Sequence, residues 1–390
     1  MSLSYWYNFP DKLSLDTPGF TGFAWGVMPK ARYLAPWHQE DIWERLAQAE
    51  LEGEELSVEA LRELKGKPAI YHCISRVVDR RFVLGEVEKE QFVEYMRIYE
   101  QFCQVRVLAY CVMSNHFHIL LEVPSPPEDS GRTWSDGKLL RHLRCLYSGA
   151  KLREIEWKLK HFRSQKNRRG AEELRESFLR RMWDLSQYIK TLKQRFTRWF
   201  NKYHGRKGTL WEERFKSTLV ESGLAARTVA GYIDLNPVRA KIVKEGEDYR
   251  WSSFGEAVAG RKRAREGLQR VMFERERHVT NEERAAEMLL NWRKVAWRYR
   301  QLLKADQQRG KVEAVATMNE TPPPGEAKML RKKVRYFADG LAIGSRLFLE
   351  DLFNATRGYF GPLRRSGARK FRGVETALHA MRDLRDPPPG

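Results

Sequence analysis

The sequence has few cysteines and no long apolar run, and both absences exclude classes of protein. Its four cysteines, Cys73, Cys103, Cys111 and Cys145, include no CxxC pair, so we exclude a cysteine zinc site and expect reduced thiols. No apolar run approaches the roughly 18 residues that span a bilayer, so we expect no membrane-spanning helix. The amino terminus MSLSYWYNFPDKLSLD lacks the basic start and apolar core of a secretory signal. We therefore expect a cytoplasmic protein, associated with the nucleoid if it is bacterial.

Acidic residues are fewer than basic ones. Lys plus Arg number 71 against 51 Asp plus Glu, which gives a formal net charge of +20. The hydrophobic share of 42% in 390 residues is enough to build packed cores in two or three domains. A chain of this charge is expected to bind a polyanion. Without an apolar span, nucleic acid is favoured over a membrane surface.

The pattern of apolar residues predicts four regions. Residues 1–66 form an aromatic and helical N-terminal extension. Residues 67–256 follow the order strand, helix, strand, strand, helix, strand, which predicts an α+β fold with a ferredoxin-like antiparallel sheet, interrupted by a basic helical insertion near 138–182. Residues 257–320 are predicted to be helical. A stiff linker, ETPPPGE at 320–326, leads to a small basic C-terminal domain, 326–390, that either holds duplex DNA or packs on the core.

Two histidines open one predicted strand. In the stretch SNHFHILLEV, His116 and His118 are two residues apart, so their side chains project to the same face of the strand, about 7 Å apart. They are able to share one metal ion. Alternatively, one or both are core histidines with hydrogen-bonded partners, and the motif alone does not decide between these interpretations.

A second motif, GYIDLNPVRA, places Tyr232 and Asn236 four residues apart on one helical face. This spacing offers a hydroxyl nucleophile beside an amide that can bind a metal. Because Pro237 disfavours helical geometry at the residue before it, the helix is predicted to end at Leu235, with Asn236 as the N-cap of a new helix. The competing interpretation is that Asn236 only caps and Tyr232 only packs.

Two nearby polar residues are left out of the predicted site. His72, in the first strand, is interpreted as a sheet histidine whose hydrogen bonds are satisfied by a neighbour. Asp234 lies off the Tyr232 face of its helix and is interpreted as solvated.

Three stretches in this order resemble a known family. The HFH of His116 to His118 comes after a pair of predicted strands, LWEERFKSTLVES precedes a helix, and YIDLNPVRA begins at Tyr232. Together they resemble the single-tyrosine HUH transposases, named for two histidines around a hydrophobic residue, and within them the REP-associated tyrosine transposase branch. The resemblance covers about residues 68–254. Many relatives carry Gln where this chain has Asn236.

The resemblance implies an enzyme that nicks single-stranded DNA and transfers strands at sites flanked by DNA hairpins. Tyr232 would attack the scissile phosphate, form a 5′-phosphotyrosine link and release a 3′-hydroxyl that later attacks the link. His116 and His118 would bind the divalent metal, Mg²⁺ or Mn²⁺, and Asn236 would be the third ligand. Relatives act as monomers or as homodimers, and the sequence leaves both states open.

Basic residues near aromatic ones mark the predicted DNA contacts. KTLKQRFTRWFNKYHGRKG interleaves the two kinds, which suits phosphate neutralisation with base stacking, although most of its aromatics are interpreted as core residues. A second basic stretch is the C-terminal loop PLRRSGARKFRG. The predicted DNA-binding residues are Lys193, Arg195, Arg198, Lys202, Arg206, Lys207, Arg364, Arg365, Arg369 and Lys370.

Two other functions remain open from the sequence. A domesticated, catalytically quiet protein that binds hairpin DNA or RNA would have the same charge. A replication-initiator type of nickase would use the same histidine pair, but such enzymes often carry a second tyrosine near the first, and the helix from Leu224 to Leu235 has one.

Overall fold

The computed structural model describes residues 33–51, 58–127, 129, 131–273, 291–304, 330, 337, 340–371, 374 and 376–383. The predicted linker at 320–326 and most of the aromatic start of the chain lie outside these residues. Within them, no helix is long and apolar enough to cross a membrane.

The centre of the protein is the predicted ferredoxin-like core. Its elements in chain order are β1 (Ala69–Arg76), α3 (Glu86–Phe102), β2 (Arg106–Val112), β3 (His116–Val123), α7 (Leu185–Tyr203) and β4 (Lys216–Val220). The strands lie in the order β2-β3-β1-β4, and each neighbouring pair is antiparallel. This arrangement confirms the predicted α+β fold.

The two faces of the sheet bury different halves of the protein, as the alternation of side chains along a strand requires. On one face, Tyr71, Phe117 and Ile119 pack with α3 and α7. On the other, Ile70 and Leu120 pack with helices that follow the core. These helices are α8 (Leu224–Asp234), α9 (Asn236–Arg239), α10 (Ser253–Val258), α11 (Lys262–Phe273) and α12 (Trp292–Lys304).

Between β3 and α7, the predicted basic insertion forms three helices. They are α4 (Asp136–Leu143), α5 (Gly149–Ser164) and α6 (Arg168–Leu179). Each begins at a polar residue whose side chain accepts from a backbone N–H of the first turn, namely Ser135, Ser148 and Asn167. Leu143, Leu159 and Phe178 are among the residues of this region that join the core on the α7 face.

The C-terminal region adds strands to the same sheet. Its elements are β5 (Ala342–Gly344), α13 (Arg346–Ala355), β6 (Arg369–Lys370) and β7 (His379–Met381). β5 pairs with β4 in parallel, so the complete order is β2-β3-β1-β4-β5-β7-β6. The sequence predicts a small separate domain here, but the C-terminal strands continue the hydrogen bonding of the core sheet. Ser345 caps α13 by accepting from the Phe348 N–H.

The N-terminal extension packs against this C-terminal helix. It contains α1 (Glu40–Leu51) and α2 (Glu59–Arg62). The hydroxyl of Tyr33 lies 3.0 Å from the Thr356 hydroxyl, and the ring of Trp37 contacts that of Phe348. Short 3₁₀ turns at Pro36–His38, Val78–Arg80, Gly246–Asp248 and Arg357–Tyr359 complete the described elements.

Candidate active site

The two histidines of the HFH motif lie side by side at one end of the sheet. His116 is the first residue of β3 and faces Arg76 of β1, and its ring centroid is 5.1 Å from that of His118. As predicted from their spacing, the two rings lie together on one face of β3, and His118 contacts Tyr232 of α8. His116 Nδ1 lies 2.6 Å from Asn115 Oδ1; because that oxygen only accepts, Nδ1 is the donor of this hydrogen bond.

A third histidine contacts His118 of this pair. His72 in β1 stacks on His118 with 5.2 Å between ring centroids, and its Nε2 lies 3.0 Å from His118 Nδ1. Its Nδ1 lies 2.8 Å from the carbonyl oxygen of Phe337. Burial lowers the pKa of His72 to about 4, so the ring is neutral at pH 7. The prediction that a neighbour satisfies His72 is confirmed, but this neighbour belongs to the predicted site.

Tyr232 of α8 lies against both buried histidines. Its ring meets those of His118 and His72 edge to face, at centroid distances of 6.2 and 6.4 Å. The ring of Phe337 covers it at 4.7 Å, and only 4% of Tyr232 is exposed. The fold therefore brings together the predicted nucleophile and one predicted metal ligand, although they are far apart in the sequence.

Arg239 is a site residue that the sequence analysis missed. Its guanidinium lies over the Tyr232 ring, 4.0 Å from the centroid, and it donates hydrogen bonds to the backbone oxygens of Tyr232 (2.6 Å) and Leu330. Burial raises the pKa of Tyr232, while the positive charges of Arg239 and Arg76 lower it. The available signal was the arginine that ends the LNPVR stretch directly after the tyrosine helix.

Asn236 has a different role from the predicted N-cap. The break before Pro237 is present, but Leu235 is the N-cap residue of α9, and no side-chain cap bond forms there. The Asn236 Nδ2 instead donates to the backbone oxygens of Ile233 (3.1 Å) and Tyr232 (3.4 Å) at the end of α8. These bonds satisfy helix carbonyls that lack an intrahelical partner. The Oδ1 atom keeps its acceptor capacity, and its role as a metal ligand stays a prediction.

The expectation that Asp234 is solvated is wrong, because the residue is fully buried. Its carboxylate accepts hydrogen bonds from the Ser253 hydroxyl (2.8 Å), the Phe254 N–H (3.1 Å) and the Tyr299 hydroxyl (2.7 Å). Burial nevertheless raises its pKa from 3.8 to about 6. Asp234 thus anchors the end of the tyrosine helix to α10 and α12.

The donor set around His118 suits one divalent cation. His72 uses both of its nitrogens in hydrogen bonds, so it is not available as a ligand, and the predicted imidazole ligands stay His116 and His118. In the described part of the chain, no group of three or more His, Cys, Asp or Glu side chains is arranged to hold a metal ion, so a cation at this site would need ligands other than these side chains to complete its shell. Imidazole donors are typical of Zn²⁺ sites, whereas an amide oxygen and water are typical of Mg²⁺ and Mn²⁺ sites, so the identity of the ion stays a prediction.

Comparison with known proteins agrees with the histidine motif. Residues 67–128, which include His116 and His118, match the family described as "Transposase IS200 like". This segment of the chain is therefore similar to IS200-like transposases. The predicted resemblance is confirmed in this segment, whereas Tyr232 and Asn236 lie beyond its end.

One solved structure is also similar to this chain, and its title reads "Structure of the REP associates tyrosine transposase bound to a REP hairpin". The similarity has 16% sequence identity and a TM-score of 0.32, and it covers 50% of this chain and 81% of that one. No curated protein matches.

The basic residues predicted on α7 lie on the opposite side of the sheet from His116 and His118. Lys193 and Arg198 line an open groove of about 830 Å³ between α7 and the loop before β4, together with Lys190 and Arg214. Arg195 points elsewhere, with its guanidinium over the ring of Tyr95. The structure therefore separates the predicted α7 set into a groove group and residues outside it.

The remaining α7 residues fall outside this groove. Arg206 turns back on the helix end, where its guanidinium donates to the Thr209 carbonyl and lies over Phe200. Lys202 and Lys207 are exposed near the same end.

The four basic residues predicted in the C-terminal loop also divide into two kinds. Arg364 donates to the carbonyl oxygens of Ser366 (2.9 Å) and Gly367 (3.1 Å), and its guanidinium lies 4.5 Å from the Phe360 ring centroid. Arg369 forms an ion pair with Asp383. Arg365 and Lys370 are exposed. These contacts favour a structural role for Arg364 and leave DNA contact by the others as a prediction.

Proposed function

We propose that this protein is a transposase that cleaves and rejoins single-stranded DNA next to hairpins. The contact between Tyr232 and His118, 6.2 Å between ring centroids, is the observation that carries the proposal. In this basic protein, the contact brings the phenol ring of the proposed nucleophile next to the ring of a predicted metal ligand. The match of residues 67–128 to IS200-like transposases supports the same reaction class.

In the proposed reaction, the Tyr232 oxygen attacks the scissile phosphorus and the bond from phosphorus to the 3′ oxygen breaks. The phenol gives up its proton, the 3′ oxygen takes one up, and the 5′ strand stays attached to the tyrosine. Attack by a 3′-hydroxyl reverses these steps and rejoins DNA. A divalent ion held by His116 and His118 would polarise a non-bridging phosphate oxygen.

Arg239 has two roles in this proposal. Its charge favours the phenolate form of Tyr232, which burial alone would disfavour. Its hydrogen bond to the Tyr232 carbonyl fixes the end of α8 relative to α9. The nucleophile is thereby both activated and held in place by the same side chain.

The hairpin is proposed to lie along the α7 groove. The loop that forms one wall of this groove reaches the histidine end of the sheet, because Trp211 bridges to Val77 and the Glu212 N–H donates to the Arg76 carbonyl. Arg76 in turn pairs with His116. A strand that leaves a hairpin in the groove would therefore reach the histidines around this end of the sheet.

A catalytically quiet hairpin-binding protein is the second candidate, and the burial of Tyr232 favours it. With 4% of the residue exposed and the ring of Phe337 packed against its ring, little of Tyr232 is accessible to a phosphate. The two candidates share the DNA partner and differ only in whether a covalent adduct forms.

The deciding experiment incubates the protein with labelled single-stranded DNA from the flanks of its own gene, with Mn²⁺ or Mg²⁺, and resolves the products on a denaturing gel. The wild type and Tyr203→Phe, which alters an exposed tyrosine, should form an adduct that Tyr232→Phe does not form. An adduct that persists in Tyr232→Phe would remove the assigned nucleophile. Tight hairpin binding without any adduct would favour the quiet protein.

A further inference from the structure

A chain of two hydrogen bonds runs from the backbone through His72 to His118. The Phe337 carbonyl oxygen is 2.8 Å from His72 Nδ1, and His72 Nε2 is 3.0 Å from His118 Nδ1. Both rings are almost completely buried, at 1% and 3% exposure. The two bonds and the stacking of the rings leave His118 Nε2 as the nitrogen that faces away from His72.

The direction of these bonds follows from the chemistry of their ends. A carbonyl oxygen only accepts, so His72 Nδ1 carries a proton. In a neutral imidazole the other nitrogen then has the lone pair, so His72 Nε2 accepts and His118 Nδ1 donates. A proton on His118 Nδ1 leaves the lone pair of that ring on Nε2, the nitrogen that can bind a metal.

The opposite direction would require a buried imidazolium. If His118 Nδ1 accepted, His72 would carry protons on both nitrogens and His118 would carry its proton on Nε2. None of the hydrogen bonds described for His72 goes to a carboxylate that would compensate its charge, and an uncompensated charge in such a position is costly. The first direction is therefore the stable one.

We propose that His72 is a positioning residue that holds His118 in the tautomer with an Nε2 lone pair and thereby prepares it to bind a divalent cation. This proposal rests on the proposed function only for the assignment of His118 to a metal site. The tautomer of His118 is a property of the protein without metal or DNA, so it can be measured separately from catalysis.

The first test reads the tautomer by ¹⁵N–¹H correlation spectroscopy of the histidine rings at neutral pH. In the wild type, His118 should be protonated at Nδ1. His72→Phe keeps a flat ring but removes the acceptor, so it should allow the Nε2-protonated form to appear, whereas His72→Gln supplies an acceptor oxygen and should restore the wild-type signal. A wild-type His118 protonated at Nε2 would overturn the proposal.

The second test measures Mn²⁺ binding without DNA by electron paramagnetic resonance. Loss of the partner of a metal-binding histidine typically weakens affinity by about 10- to 100-fold, so we expect this loss in His72→Phe and recovery in His72→Gln. Thr218→Val is the matched control, because Thr218 pairs with His72 across β1 and β4 but bonds to the Gly340 carbonyl. Equal affinity of His72→Phe and wild type, or equal loss in the control, would contradict the role.

The two tests also separate this proposal from that of the enzyme. A protein that forms no adduct but shows the expected tautomers and affinities would retain His72 as a positioning residue in a quiet relative. A protein that forms the adduct while His118 is protonated at Nε2 would keep the enzyme and lose the role of His72.

Discussion

The guanidinium of Arg239 and the ring of Tyr232 are in face contact, 4.0 Å from Cζ to the ring centroid. The contact joins α9 to the helix that precedes it and places a fixed positive charge beside a buried phenol. Burial and this charge have opposite effects on the pKa of Tyr232, and burial has the larger effect. The pH dependence of adduct formation should therefore report on Arg239.

We expect Arg239→Gln to move adduct formation to higher pH. Without the positive charge the pKa of Tyr232 rises further, and the rate near neutral pH should fall about tenfold for each unit of that rise. Single-turnover rates between pH 6 and 9 would measure this shift. Arg239→Lys, which keeps the charge, should have the smaller shift, and an unchanged profile in Arg239→Gln would show that the contact is only structural.

Asp234 should make stability depend on pH. Its pKa is raised from 3.8 to about 6 in the folded protein, so its favourable contribution is complete below pH 3.8 and is lost as the pH rises through about 6. Relative to Asp234→Asn, the wild type should lose roughly 2–3 kcal/mol of unfolding free energy over this window. Urea denaturation at several pH values would measure the difference between the two proteins.

Tyr299→Phe provides the control for this prediction. The Tyr299 hydroxyl donates to the Asp234 carboxylate and lowers its pKa, so its removal should move the transition to higher pH. A constant difference between wild type and Asp234→Asn across the window would mean that Asp234 does not titrate there.

The α7 groove should determine the salt dependence of hairpin binding. We expect Lys190→Gln, Lys193→Gln and Arg198→Gln together to reduce the slope of log affinity against log salt by up to about 3, since each lost phosphate contact removes about 0.9 on duplex DNA. Fluorescence anisotropy with a labelled hairpin at several salt concentrations would measure the slope.

A charge-matched set is available for comparison on the same helix and the loop after it. Arg195, Lys202 and Lys207 do not line the groove, and their joint replacement by Gln removes the same charge. If this second set reduces the slope as much as the first, the effect is general to the positive surface, and the groove is not the binding site.

The C-terminal loop should separate stability from DNA binding. Arg364→Gln loses several bonds to loop carbonyls and should lower the melting temperature, at a cost of about 1–3 kcal/mol. Arg365→Gln with Lys370→Gln should spare the melting temperature and reduce the salt slope by about 1 to 2. Calorimetry and hairpin titration would check the two effects, and the reverse assignment would refute this division.

The sequence predicts the core of this fold because its signals are local. Alternation in β1 and β3 and the helical period of α7 are properties of short windows, and the spacing of His116 and His118 fixes their common face. Pro237 likewise marks the break between α8 and α9, although the cap lies one residue earlier than predicted.

The identity of the partners of His72 and the burial of Asp234 are not predictable in this way. Their partners, Phe337 and Tyr299, lie far along the chain, and only the packing of helices on the second face of the sheet brings them close. The local sequence around a polar residue on a helix or strand is the same whether a distant element or water covers its side chain. The surroundings of both residues therefore depend on contacts between distant parts of the chain.

The pairing of β4 with β5 also constrains how the protein can be made. Leu219 of β4 aligns with Ala342 of β5, so during synthesis one edge of β4 remains unpaired until β5 has left the ribosome. Open strand edges recruit other strands and promote aggregation. A nascent or truncated chain that lacks β5 would expose this edge, whereas the finished chain protects it with its own C-terminal strands.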